Sequence, residues 1–276
     1  MKPVIAFIYD FDGTLSPRNM QEYDFLPHVG LEPGEFWAEA NKRAVDNNAD
    51  TILAYMTLML EKCSGSQCVQ LTREKFAAYG KNIDFFPGVE DWFGLINSYV
   101  ISHGFIPQHY VLSSGVKEMI AGSAIAHNFE DIFACSYIYD EKGVAIAPGV
   151  SINYTGKTQF LFRINKGVHN VWDNSIINDY VPKEERPVPF TRMIYFGDGF
   201  TDVPCMKLVK DQGGHSISVY KPGKGKDEAC RLFRESRVNF TATADYRPGS
   251  ELDTIVKAIV NKIVSDTTLN HLIPTY

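Results

Sequence analysis

Val4-Ile5-Ala6-Phe7-Ile8-Tyr9-Asp10-Phe11-Asp12-Gly13-Thr14-Leu15 is the stretch whose reading decides the fold: six strand-forming residues stop at two aspartates and a glycine. Unbroken apolar character, without alternation, marks a strand buried on both faces, as in a parallel sheet covered by helices. Asp10 and Asp12, two positions apart in an extended chain, point to the same side, and Gly13 permits the sharp turn that follows. Like charges this close raise one pKa or call for a cation. The plainer alternative leaves Asp12 capping a turn and Asp10 exposed.

Two further runs share this grammar: Tyr110-Val111-Leu112 before Ser113-Ser114-Gly115, and Met193-Ile194-Tyr195-Phe196 before Gly197-Asp198-Gly199. Open α/β sheets bind ligands outside the carboxyl ends of their strands, where all three polar tails fall. Asp198 and Asp202, in Gly-Asp-Gly-Phe-Thr-Asp, supply a second acidic cluster. Taken alone they read as a tight turn and a helix cap. Gathered with Asp10 and Asp12 they make a hard, oxygen-rich site suited to Mg2+.

The segment between the first two strands, residues 16–87, is longer than one crossover helix requires and reads as an inserted helical subdomain. Residues 33–47 and 50–62 carry apolar side chains at helical spacing. Asp50 is placed to cap the second helix and Thr72 a third, 72–79. Leu15-Ser16-Pro17 and Phe86-Pro87-Gly88 read as the hinges. The predicted organisation is a core of residues 1–15 and 88–276 with a cap of residues 16–87. The stripe Phe36, Trp37, Tyr55, Met56 and Met59 reads as the cap's own core rather than a cofactor pocket. Further on, the pattern predicts a helix over 116–127 and a β region over 134–154 turning at 140–143. Helices follow over 158–164 and 202–209, a strand over 216–220, and a terminal helix over 252–265. Residues 167–191, with Pro182, Pro187 and Pro189, read as irregular.

The 276 residues are 45% hydrophobic and 22% charged, the composition of a folded globular protein. A net charge of -6 without a basic block disfavours nucleic acid or an anionic membrane as partner. The start, Met1-Lys2-Pro3 and a short apolar run, is too short for a signal-peptide core, and no stretch reaches the roughly 20 apolar residues of a membrane span. The five cysteines, Cys63, Cys68, Cys135, Cys205 and Cys230, form no framework and suit a reducing compartment, so a cytoplasmic location is expected. Cys63 and Cys68 are a weak zinc signal, the seven histidines show no ligand spacing, and 221–226 lacks a P-loop ending and reads as a mobile loop.

Asp10-Phe11-Asp12-Gly13-Thr14-Leu15, Leu112-Ser113-Ser114-Gly115 and Gly197-Asp198-Gly199-Phe200-Thr201-Asp202, in that order, resemble the motifs of the haloacid dehalogenase-like hydrolase superfamily, and most closely its phosphoserine phosphatase-like branch. The resemblance covers roughly residues 1–15 and 88–220, and implies a three-layer Rossmann-like α/β core with a parallel sheet and an inserted helical cap. It implies that Asp10 is the nucleophile that becomes an aspartyl-phosphate and that Asp12 is general acid and then base. Mg2+ would be held by the Asp10 side chain, the Asp12 backbone carbonyl and Asp198, with Asp202 steadying the metal's waters or Asp198. Ser113, helped by backbone N–H groups near Ser114 and Gly115 at the next helix start, would bind the phosphoryl oxygens; Ser113 as a plain helix cap is the alternative. The family also uses a lysine to balance phosphate and nucleophile, for which Lys157 is the choice and Lys166 the runner-up.

The implied activity is hydrolysis of a small phosphomonoester. A phosphotransferase or phosphomutase uses the same core, and a noncatalytic binding protein could retain it, although two intact acidic clusters speak against the latter. Dehalogenation is disfavoured, since that branch lacks the second aspartate that is present here as Asp12. Substrate identity and oligomeric state stay open.

Overall fold

The first strand, β1 (Val4–Tyr9), lies at the centre of the sheet, and Ile5 to Tyr9 are wholly buried, as a strand covered on both faces requires. The structure, a computed structural model, describes residues 2–63, 70–175 and 177–272. After β1 come the helices α1 (Phe25–His28), α2 (Pro33–Asn47), α3 (Thr51–Cys63), α4 (Arg73–Tyr79) and α5 (Val89–Ser102). The chain continues through β2 (Ile106–Val116), α6 (Lys117–Ala121), β3 (Asp131–Tyr139), β4 (Ala145–Val150) and α7 (Tyr154–Lys166). It ends with β5 (Met193–Gly197), α8 (Val203–Asp211), β6 (His215–Tyr220), α9 (Lys226–Arg234), β7 (Phe240–Thr243) and α10 (Glu251–His271).

The strands form one seven-stranded sheet in the order β4-β3-β2-β1-β5-β6-β7. Every pairing is parallel except β3–β4, an antiparallel hairpin closed at residues 140–143, so the expected parallel sheet is mixed at one edge. β1 sits between β2 and β5, with Tyr9 level with Val111 and Phe196. This register brings the polar tails after β1, β2 and β5 to one edge. No helix among the described residues is long and apolar enough to cross a membrane.

Local signals explain the helices between β1 and α5. Pro33 opens α2, and Asn48, in the left-handed conformation at φ 48°, closes it. The Asp50 carboxylate accepts from the N–H groups of Ile52 and Leu53 at the head of α3, and Thr72 accepts from Lys75 at the head of α4. The two expected hinges lie side by side, Phe86 N–H donating to the Leu15 carbonyl at 2.9 Å. The β3–β4 hairpin reaches these helices: the Tyr137 ring stacks on Phe76 at 4.9 Å and its hydroxyl donates to the Met56 carbonyl.

The helix predicted over 116–127 is shorter. β2 runs on to Val116, α6 covers five residues, and only a turn of 3-10 helix follows at Ala126–Asn128. The interruption is tertiary: Gly122 lies so close to α4 that a Cβ there would stand 1.9 Å from the Ala77 carbonyl, and the Ser123 hydroxyl folds back onto the Ile120 carbonyl. The helix expected at 158–164 begins earlier, at Tyr154. Residues 221–226 are exposed turn residues opening into α9. Cys68 lies outside the described residues, and with it the Cys63–Cys68 expectation.

Candidate active site

A tight turn ends β1, with the Phe11 carbonyl accepting from the N–H groups of Leu15 and Ser16 at 2.9 and 3.0 Å. At its apex Gly13 adopts φ +81°, and a Cβ there would lie 2.1 Å from an oxygen of Asp198. Only glycine lets the tail of β5 come this close to the tail of β1. Gly197 performs the same service one residue before Asp198, where a Cβ would meet the Asp202 side chain at 2.6 Å. Asp10, Asp198 and Asp202 each offer an oxygen within 4.8 Å of the others, a group that could hold a divalent metal ion.

One cation is built into this cluster. Lys157, on α7, is wholly buried, and its Nζ donates to Asp10 Oδ1 at 2.9 Å and Asp202 Oδ1 at 2.7 Å. The same Asp202 oxygen accepts from the Tyr195 hydroxyl at 2.8 Å. Burial alone would pull the Lys157 ammonium down, but the charges of Asp10 and Asp202 outweigh it and the net direction is up. Lys166 sits at the other end of α7, where its ammonium donates to the carbonyls of Ile177 and Asp179 and pins the 167–191 segment. Arg163 holds the same segment through the carbonyls of Asn170, Val171 and Asp173.

One ammonium does not neutralise the carboxylates. Burial, then the charge of Asp202, pushes Asp10 up to about 6 despite Lys157. Burial and the charges of Asp10 and Asp202 raise Asp198 as well. Asp12 is raised by burial and then by Asp10. All donors facing this excess of negative charge are hard oxygens, the set that suits a small divalent cation. The Asp12 carboxylate is not in the metal-capable group. Its Oδ1 accepts from the Met20 N–H at 2.9 Å, a contact made by the segment that leaves the turn.

The tail of β2 is arranged differently from expectation. Ser113 is buried, and its Oγ accepts from the Gly115 N–H at 3.0 Å. The Val116 N–H points to the Met20 sulfur. Because α6 begins only at Lys117, these N–H groups belong to the strand end rather than to a helix start. The Ser114 carbonyl accepts from the Tyr55 hydroxyl of α3 at 2.7 Å, and Ser114 Oγ is buried without a partner.

Asp10, Asp12, Ser113, Ser114, Gly115 and Asp198 line one cavity of about 440 Å³, whose other walls come from the helical insertion and the β5 tail. Phe36, Tyr55, Met56 and Met59 are core as expected, with Trp37 half-buried against them, and Trp37 and Tyr55 line the cavity as well. Gln21 and Phe200 were not singled out by the sequence. Lys157 and Asp202 are the floor beneath the cavity, not part of its wall.

A family model described as haloacid dehalogenase-like hydrolase matches residues 7–207, which include every element of this site. The chain belongs to the haloacid dehalogenase-like hydrolase family. Over 273 aligned positions the chain is 29% identical to an uncharacterized protein of Borreliella burgdorferi, covering 90% of this chain and 94% of that one. Among solved structures, a HAD family hydrolase of Salmonella enterica serovar Typhi superposes with a TM-score of 0.58 at 14% identity, covering 94% of this chain and 72% of that chain. A substrate-bound phosphoserine phosphatase superposes with a TM-score of 0.55, also at 14% identity, covering 94% and 99%. These likenesses show the fold of the hydrolase, a Rossmann-like α/β core with a helical cap. Its aspartate cluster is the part that can carry metal-assisted hydrolysis.

Proposed function

We propose that this hydrolase is a Mg2+-dependent phosphatase that hydrolyses a small phosphomonoester through an aspartyl-phosphate on Asp10. The observation that carries the reading is the charge balance: Asp10, Asp198 and Asp202 gather within 4.8 Å of one another with Asp12 beside them, and among the described residues one buried ammonium, Lys157, pairs with two of them, beside a cavity that a small ester would fill. An anionic ester approaches such a site only with further positive charge. Magnesium, held by Asp10, Asp198 and the Asp12 carbonyl with Asp202 behind them, would supply that charge and align the phosphoryl group.

With Oδ1 of Asp10 held by Lys157, its second oxygen attacks phosphorus as the ester P–O bond breaks. Asp12, protonated because burial and Asp10 hold its pKa up, gives its proton to the departing alkoxide. The same carboxylate then takes a proton from the water that attacks the aspartyl-phosphate, releasing phosphate and restoring Asp10. Ser113 and the N–H groups of the β2 tail would hold the phosphoryl oxygens, and Lys157 keeps Asp10 in place. In this reading residues 1–15 and 88–276 are the core and 16–87 the cap, and the enzyme works in the cytoplasm on a soluble substrate.

The test is hydrolysis of an aryl phosphate with and without magnesium by wild type and Asp10→Asn. Turnover that needs both the metal and Asp10 is expected. Turnover that survives in Asp10→Asn would overturn the covalent mechanism.

A further inference from the structure

The walls of the cavity say what kind of alcohol the ester carries, a deduction that rests on the phosphatase reading above. Gln21 is 1% exposed, lines the cavity, and has its Oε1 buried without a hydrogen-bond partner. An orphaned buried carbonyl costs about 1–3 kcal/mol, so the side chain is poised for an N–H or O–H donor that arrives with the ligand. Trp37 and Tyr55, edge to face at 5.6 Å, add aromatic surface to the same cavity, and Phe200, 61% exposed, stands in the wall from the β5 side. Aromatic faces attract ammonium groups.

The charges agree. Among the described residues that line the cavity none is Lys, Arg or His, while Asp10, Asp12 and Asp198 are all there. The Lys157 ammonium beneath it is paired with Asp10 and Asp202. Behind the wall, the Glu22 carboxylate accepts from Trp37 Nε1 at 2.9 Å and from the Asn19 side-chain amide at 2.6 Å, which adds negative charge next to the indole. A carboxylate on the substrate would find no counter-charge in the lining, the Arg231 guanidinium lying 5.3 Å over the Phe200 ring and outside it, and several like charges. An ammonium would find an acceptor, aromatic rings and a negative field.

We propose that the alcohol half of the substrate carries an ammonium group and no carboxylate, with Gln21 Oε1 as its hydrogen-bond acceptor and Trp37 and Tyr55 as its aromatic wall. The experiment compares kcat/KM, with magnesium, for O-phosphoethanolamine, n-propyl phosphate and O-phosphoserine. The second replaces the ammonium by an isosteric methyl, and the third adds only a carboxylate to the first. O-Phosphoethanolamine is expected to exceed each of the others by at least about tenfold, the worth of roughly 1.4 kcal/mol. Gln21→Leu should bring its ratio over n-propyl phosphate toward unity, and Trp37→Leu should do so if the first variant does not fold; the ratio is independent of how much total activity either retains. Equal rates for the three esters, preference for O-phosphoserine, or failure to turn over any of them while an aryl phosphate is hydrolysed would overturn the proposal and leave the phosphatase reading standing. Loss of Asp10 dependence with the aryl phosphate would overturn the phosphatase reading itself.

Discussion

Replacing Lys157 by methionine keeps the length of the side chain and removes the only ammonium among the described residues that touches Asp10 and Asp202. At about 3 Å and an effective dielectric of about 20, each of its two ion pairs corresponds to on the order of 5 kcal/mol of attraction, most of it offset by the cost of desolvating three buried charges. Stripping one partner from a buried pair typically costs about 3–5 kcal/mol. Protonation limits the loss here. Asp10 already sits at about 6 with the lysine in place and rises without it, so at pH 7.5 the variant can neutralise it for at most about 2 kcal/mol, at about 1.4 kcal/mol per pH unit. Asp202 keeps the Tyr195 hydroxyl. The expected loss in EDTA is therefore about 2–4 kcal/mol at pH 7.5. The sign with pH follows from Asp10 being raised above its unfolded value. Its destabilising effect grows with pH and levels off above about 6 in the wild type, whereas in the variant, with Asp10 higher still, it goes on growing. The gap should thus narrow to about 1 kcal/mol at pH 5.5. Urea unfolding in EDTA, followed by tryptophan fluorescence at both pH values, measures it. A gap that is absent at pH 7.5, or that widens on acidification, would refute the charge balance on which the site is built.

Three other outcomes are expected. Gly13→Ala must either abandon φ +81° or push Asp198 away, so it should cost about 1–2 kcal/mol of stability and raise the magnesium concentration for half-maximal turnover at least about tenfold; an unchanged magnesium requirement in folded protein would contradict the role given to Asp198. Asp12→Asn should slow alkyl phosphates, which need their leaving group protonated, far more than aryl phosphates, and equal losses would count against its acid role. Burial holds the His109 imidazole down at about 3, while its Nε2–H donates to Asn97 at 2.8 Å and its Nδ1 accepts from the Tyr9 hydroxyl at 3.1 Å. Below its unfolded pKa of about 6.5 the denatured chain takes up a proton that the native chain refuses, so His109 by itself should contribute a loss of about 1.4 kcal/mol per pH unit as pH drops toward 4.5, against the gain from the raised carboxylates, and it is read as the difference between wild type and a His109 variant. His109→Gln, less stable at neutral pH, should lack this loss, and parallel profiles would exclude His109 as the cause.

How much of this was legible in the sequence depends on whether a residue's neighbours lie nearby in the chain. β1 and β5 could be read directly, because strands buried on both faces have to be apolar throughout. α2, α3 and α4 could be read because Pro33, Asp50 and Thr72 act within one helical turn. Lys157 carried a signal beyond family resemblance: Lys157, Phe160, Leu161 and Ile164 recur at helical spacing and are all buried, so the lysine lies on the inward stripe of α7, and Lys166 does not. The early end of α6 was not legible, since it is imposed by the approach of α4 to Gly122. Tyr195 reads as one more core aromatic in an apolar strand, and nothing local reveals that its hydroxyl meets Asp202. Gln21 sits in a segment without periodicity, and its significance comes only from the cavity beside it.

The helices between β1 and α5 do more than cover the strand ends. Met20 N–H fixes one oxygen of Asp12, and the Tyr55 hydroxyl holds the Ser114 carbonyl, so the Asp12 carboxylate and the tail of β2 are each oriented by a group from these helices. The tails of β1 and β5 supply Asp10, Asp198 and Asp202, and α7 supplies their lysine, a constellation built without any residue of the insertion. Under the proposals above, a division of this kind would let the metal-capable half stay fixed while Gln21, Trp37 and Tyr55 set the choice of alcohol.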